Sequence, residues 1–168
     1  MVRTIAVANQ KGGVGKTTTV VSVASNVALA GYRTLLIDLD PQGNATTGVG
    51  VNPREVSTSS YNVLVQQLPL SGALIKEVVP NLDLVPATLD LAGAEVELVP
   101  MFSRELRLRS AISLVENQYD YIFVDCPPSL GMLTINSLAA VNEVIVPLQC
   151  EYYALEGLGQ LLTNVQLI

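Results

Sequence analysis

The chain reads as an α/β protein with a mostly parallel sheet flanked by helices. Three observations lead there. Short β-branched runs alternate with segments of helical period, the pattern of consecutive βαβ units. The first of these runs passes through a glycine-rich loop directly into a helix pattern. The composition is 49% hydrophobic and only 14% charged, as expected of strands buried on both faces.

The predicted strands are 4–8, 34–38, 82–86, 121–125 and 143–147. The predicted helices are 16–30, 88–98, 104–117, 133–140 and 154–166. Residues 48–60, rich in Gly, Ser, Thr, Asn and Pro, read as a loop after a short helical turn and not as an interdomain linker. At 168 residues one core is expected, burying about two-thirds of the unfolded surface. The last segment sets Leu155, Leu158, Leu162 and Val165 on one helical face. It reaches Ile168 with neither a glycine cap nor a basic last turn. Residues 1–168 therefore read as a single domain, incomplete at the C-terminus.

Charge and cysteine usage narrow the function classes. A net charge of −6, from 9 basic and 15 acidic residues, argues against this stretch alone gripping nucleic acid. Arg104, Arg107 and Arg109 form one small cluster, read as a solvated helix face. With no histidine there is no Cys/His zinc pattern, and Cys126 and Cys150 read as reduced structural thiols. No apolar run has the length of a membrane span, and the N-terminus does not resemble a signal peptide, so a cytoplasmic location is expected.

The chemistry concentrates in N-Q-K-G-G-V-G-K-T-T, residues 9–18. Gly12, Gly13 and Gly15 permit a backbone that turns successive N–H groups into one concavity, and the following helix dipole favours an anion there. Phosphates should sit in the cradle of Lys11, Gly12, Gly13, Val14, Gly15, Lys16, Thr17 and Thr18. Lys16 would reach the terminal phosphates, and the Thr17 hydroxyl would ligate a bridging magnesium ion. Carboxylates for such a site are expected at strand ends: Asp38 and Asp40 after one strand, Asp125 after another. Asp38 could assist the magnesium shell or simply bond the loop.

The general phosphate-loop pattern GxxxxGK[ST] would place glycine at position 10, where Gln10 stands, and Lys11 is additional. In this form KGGVGKTT resembles the deviant Walker A motif of the ParA and MinD group of P-loop ATPases. DLDPQGNAT at 38–46 resembles the switch I segment of ParA proteins, DCPPSLG at 125–131 resembles switch II, and VPLQCEYYALEGL at 146–158 resembles the chromosomal, Soj-type branch.

The resemblance implies an ATP-hydrolysing, magnesium-dependent enzyme. In it Lys11 reaches across a nucleotide-sandwich homodimer as an arginine finger would, Asp40 positions the hydrolytic water and Asp125 holds magnesium. Switch II would sense the terminal phosphate, with Gly131 supplying backbone freedom. The same resemblance implies a ParB-like centromere-binding partner, nonspecific DNA binding through residues beyond 168, and a cytoplasmic, nucleoid-associated location. A nucleotide-binding fragment without hydrolysis and a MinD-like positioning ATPase without a DNA role are the alternatives.

Overall fold

The computed structural model describes residues 2–150 and 159. Twelve regular elements follow in chain order: β1 (Arg3–Val7), α1 (Lys16–Leu29), β2 (Thr34–Asp38), α2 (Asn44–Gly48), α3 (Ser60–Leu64), β3 (Ile75–Val79), β4 (Leu82–Val85), α4 (Leu91–Glu97), α5 (Arg107–Ser113), β5 (Tyr121–Asp125), α6 (Met132–Ala139) and β6 (Glu143–Ile145). Six strands make one sheet in the order β3-β4-β2-β5-β1-β6, parallel except for β3.

Strand alternation divides the core into two layers. Ile5 and Val7 of β1, Leu36 of β2, Leu82 and Leu84 of β4 and Phe123 of β5 pack on one face against Val20, Ala24 and Ala28 of α1 and Ala45 of α2. The i, i+4, i+8 spacing of those α1 residues presents one small-residue stripe, which lets the helix lie close to the sheet. The intervening residues, Ala6, Leu35, Ile37, Ile122 and Val124, face the other layer, built from α3, α4, α5 and α6 through Leu64, Leu91, Ala94, Leu108, Ile112 and Leu133. Each fully buried leucine of this layer contributes about 2 kcal/mol of transfer free energy.

Every predicted strand is present to within two residues, and β2 and β5 have the predicted bounds. The sequence reading missed β3. This edge strand, IKEVV, is half exposed, carries Lys76 and Glu77 in its middle and bulges at Glu77, whose φ is 51°. Charge and a bulge are how edge strands avoid further pairing, and both erase the apolar alternation that identifies a strand.

Two helix predictions change, and one helix is additional. The helix predicted at 88–98 is the shorter α4, and α3 was not foreseen. The helix predicted at 104–117 is broken into a 3-10 turn at Arg104–Leu106, α5, and a second 3-10 turn at Glu116–Gln118. The arginine cluster is correspondingly not a solvated face. Arg107 donates from Nη1 to the carbonyls of Leu64 and Val65 at 2.8 and 3.4 Å, so it closes the C-terminal end of α3. Arg104 bonds the Val99 carbonyl and the side chain of Glu105, and Arg109 alone is exposed. The helix predicted at 154–166 lies outside the described residues.

Candidate functional site

The C-terminal ends of β1, β2 and β5 lie side by side, with Val7 opposite Asp125 and Asp38 opposite Asp125 in the parallel registers. Ligands of open α/β sheets bind outside this end of the strands. The loop from Ala8 to Gly15 leaves β1 and folds back over it into α1. Gly13 and Gly15 have φ of 74° and 88°, left-handed values that a side chain would strain. As the α1 N-cap, Gly15 offers no side-chain cap, and the first turn carries no acidic residue, so the helix meets the loop with its partial positive charge uncompensated.

Lys16 is 7% exposed and extends Nζ to the Lys11 carbonyl at 3.1 Å. Burial lowers its pKa, opposed by the charges of Asp125 and Asp40, so all three groups share one electrostatic environment. Lys11 is held differently. Its N–H donates to Asn9 Oδ1 at 3.0 Å, while Asn9 Nδ2 donates to the Pro147 carbonyl at 2.7 Å. The Lys11 ammonium donates to Gln149 Oε1 at 2.9 Å. The loop after β6 thus anchors the phosphate loop. Asn9 and Gln149 were missed as site neighbours, because their contacts join positions about 138 residues apart.

Thr17 donates its hydroxyl to Asp125 Oδ2 at 2.8 Å. Asp125 is fully buried, and its Oδ1 has no hydrogen-bond partner. Burial, with the nearby charge of Asp38, raises its pKa from 3.8 to about 7. An orphaned buried carboxylate oxygen is costly unless a cation completes it. The donor set fits magnesium: one carboxylate and one hydroxyl, all hard oxygen, at the mouth of a phosphate cradle. Among the described residues no group of three or more His, Cys, Asp or Glu could hold a metal ion.

Asp38 bonds the loop. Its Oδ1 accepts the Asp40 N–H at 3.0 Å, and its Oδ2 accepts the Thr46 N–H at 2.8 Å and the Thr46 hydroxyl at 2.7 Å. Burial raises its pKa to about 6, partly offset by those donors. Thr46 in turn accepts the Ala87 N–H at 3.0 Å, which ties the 38–46 segment to the end of β4. Asp40, 8% exposed, accepts the Gln42 N–H at 3.0 Å and sits at the head of a turn closed by Gly43 N–H on its carbonyl at 2.8 Å.

One further expectation is modified. Gly131 has φ −82° and ψ −167°, extended backbone open to any residue, so conformational freedom is not what requires glycine there. A Cβ at that position would lie 2.1 Å from Glu95 Oε2; the requirement is space. Cys126 is a free thiol, as expected, buried and pushed up to about 12 by desolvation, and Cys150 is free and exposed.

A glycine-rich strand–loop–helix with a buried lysine, and a threonine bonded to a strand-end aspartate across the sheet, define a P-loop nucleotide-binding domain. Residues 2–168 match the family described as AAA domain. The chain is 54% identical to the sporulation initiation inhibitor protein Soj of Bacillus subtilis over 168 residues, which are 100% of this chain and 66% of that protein. It is 52% identical to the chromosome partitioning protein ParA of Myxococcus xanthus over 166 residues, 99% of this chain and 59% of that one. A solved structure of cobyrinic acid a,c-diamide synthase from Mycobacterium smegmatis, with bound ATP analog and magnesium, superposes with a TM-score of 0.93. It is 45% identical, over 99% of this chain and 68% of that one. The chain belongs to this AAA domain family, in its ParA and Soj group. It spans less than two-thirds of the length of these curated relatives.

Proposed function

We propose that this chain is the nucleotide-binding and hydrolysing part of a ParA-type partitioning ATPase that works on ATP with magnesium. The observation that carries the proposal is the Thr17–Asp125 pair, with one buried Asp125 oxygen left for a cation beside the phosphate loop. Magnesium would neutralise charge on the phosphates and orient them. The protein's own groups do the rest. The loop N–H groups and the α1 N-terminus bind the phosphate oxygens, and Lys16 leaves the Lys11 carbonyl to meet the terminal phosphates. Asp40 orients a water molecule for in-line attack. Held in a turn next to a fixed loop, it acts by orientation and electrostatics more than by full proton abstraction.

Beyond the single chain, the reading includes an ATP-bound homodimer, with Lys11 crossing to the partner's phosphates. It further includes nonspecific DNA binding through residues beyond 168, a ParB-like partner that stimulates hydrolysis, and a cytoplasmic, nucleoid-associated location. Support comes from the 54% and 52% identity to Soj and ParA. Among the described residues no helix is long and apolar enough to cross a membrane. The Mycobacterium smegmatis cobyrinic acid a,c-diamide synthase also has ATP analog and magnesium bound, so a nucleotide cradle does not by itself separate the two readings. The higher identity to Soj and ParA favours partitioning.

The test is ATP binding with and without magnesium, in the full-length protein and in Lys16→Ala. Magnesium-dependent binding that Lys16→Ala weakens at least tenfold, roughly one lost charge-assisted contact, supports the site. Equal affinity in both proteins would remove it.

A further inference from the structure

Glu95 lies on α4, far in sequence from the phosphate loop, and its carboxylate reaches the start of α6. Oε2 accepts the Met132 N–H at 2.6 Å and Oε1 accepts the Leu133 N–H at 3.4 Å. These are the first two N–H groups of the helix that follows Asp125 and the 126–131 segment. A carboxylate there satisfies two orphan donors and complements the helix dipole. Gly131 stands aside for it, since a Cβ would fall 2.1 Å from Oε2 and 2.4 Å from Oε1.

The segment between Asp125 and α6 is short and held at three points. The Cys126 N–H donates to the Val7 carbonyl at 3.3 Å, tying it to β1. The Thr134 hydroxyl donates to the Ser129 carbonyl at 2.6 Å, tying its middle to α6. Glu95 ties its far end. Between the outer two ties run five residues, two of them prolines with restricted φ. The segment leaves Asp125, which accepts the Thr17 hydroxyl at 2.8 Å; its path from there depends on where α6 begins, and a side chain from another helix bonds that helix start.

We propose that Glu95 is a positioning residue for segment 126–131, which follows Asp125, acting through the N-terminus of α6, and that Gly131 is glycine in order to admit it. This deepens the ATPase reading and rests on it. Glu95 touches no reacting group; it fixes the geometry in which Asp125 and the following backbone meet the nucleotide.

The geometry supplies its own control. The Glu95 carboxylate is the free end of a flexible side chain, and Gly131 has a conformation alanine tolerates. Gly131→Ala should therefore evict the carboxylate while leaving the backbone in place. In the full-length protein, Glu95→Ala should lower kcat about tenfold through misplacement, with ATP affinity changed less than about twofold. Glu95→Gln, which keeps an acceptor oxygen, should recover most of the rate. Gly131→Ala should reproduce the Glu95→Ala loss, and the double variant should be no worse than Glu95→Ala alone. Amide hydrogen exchange, which does not depend on hydrolysis, should show Met132 and Leu133 less protected in both single variants while α1 is unchanged. Parent-like kcat and protection in Glu95→Ala, or losses that multiply in the double variant, overturn the proposal. Failure of the ATPase reading itself looks different: the parent would then bind ATP no better than Lys16→Ala.

Discussion

Asp38 and Asp125 end adjacent parallel strands in register with one another, yet one has both carboxylate oxygens hydrogen-bonded and the other keeps one oxygen orphaned. Both are fully buried. The contrast separates a carboxylate whose oxygens are both taken up by the loop from one with an unpartnered oxygen, and it makes the protein's pH response a test of the proposed site.

Burial raises the two folded-state pKa values to about 6 and about 7, above the ordinary 3.8. The native state therefore binds more protons than the unfolded chain between these limits. The pair's contribution to stability is fully present below pH 4 and is lost as pH rises through 6 and 7. Without nucleotide or magnesium, the urea midpoint should fall between pH 5 and 8. Asp125→Asn should flatten that fall, and saturating magnesium and ATP analogue should abolish it. A midpoint that rises with pH across this window in the parent would contradict the assignment.

Thr46 bridges Asp38 and the Ala87 N–H within the core. Thr46→Val keeps the shape but removes the hydroxyl, stranding a buried N–H and weakening the hold on the Asp38 carboxylate. Unfolding in urea should show a loss of about 2 kcal/mol or more. A change below about 0.5 kcal/mol, the range of ordinary surface substitutions, would show that the bridge carries no weight.

The Asp40 carboxylate accepts the Gln42 N–H within its own turn. Asp40→Ala should leave ATP binding nearly intact and cut the hydrolysis rate about a hundredfold or more, so that the ATP-bound form accumulates. Single-turnover kinetics decide this, and an unchanged rate would remove Asp40 from the chemistry.

Gly12 gives a test of the homodimer. A Cβ there would meet nothing within 4 Å in its own chain, and its φ lies outside the left-handed range found at Gly13 and Gly15. Gly12→Val should therefore fold and bind ATP. If it blocks ATP-dependent dimerisation in sedimentation, the obstruction comes from a second copy. Lys11→Ala, which removes the ammonium now resting on Gln149, should retain ATP binding and lose stimulated hydrolysis. Dimerisation of Gly12→Val at the parent's level would leave Lys11 as a surface lysine bonded within its own chain.

The sequence by itself determined the sheet class, five of the six strands among the described residues and the phosphate loop. Those features are local: a short continuous apolar run ending in aspartate, or three glycines ahead of a lysine, declares its geometry within about ten residues. It determined that Asp40 and Asp125 lie at strand ends, for the same reason. Tertiary structure alone decided the partners. That Asp38 serves the loop follows from Thr46 folding back beneath it. That Arg107 caps α3, that Asn9 and Gln149 brace the phosphate loop and that Gly131 yields to Glu95 depend on elements brought together across the sheet and its helical layer. A hydrogen bond is made by whichever donor the packing delivers, and no periodicity along the chain records which one that is.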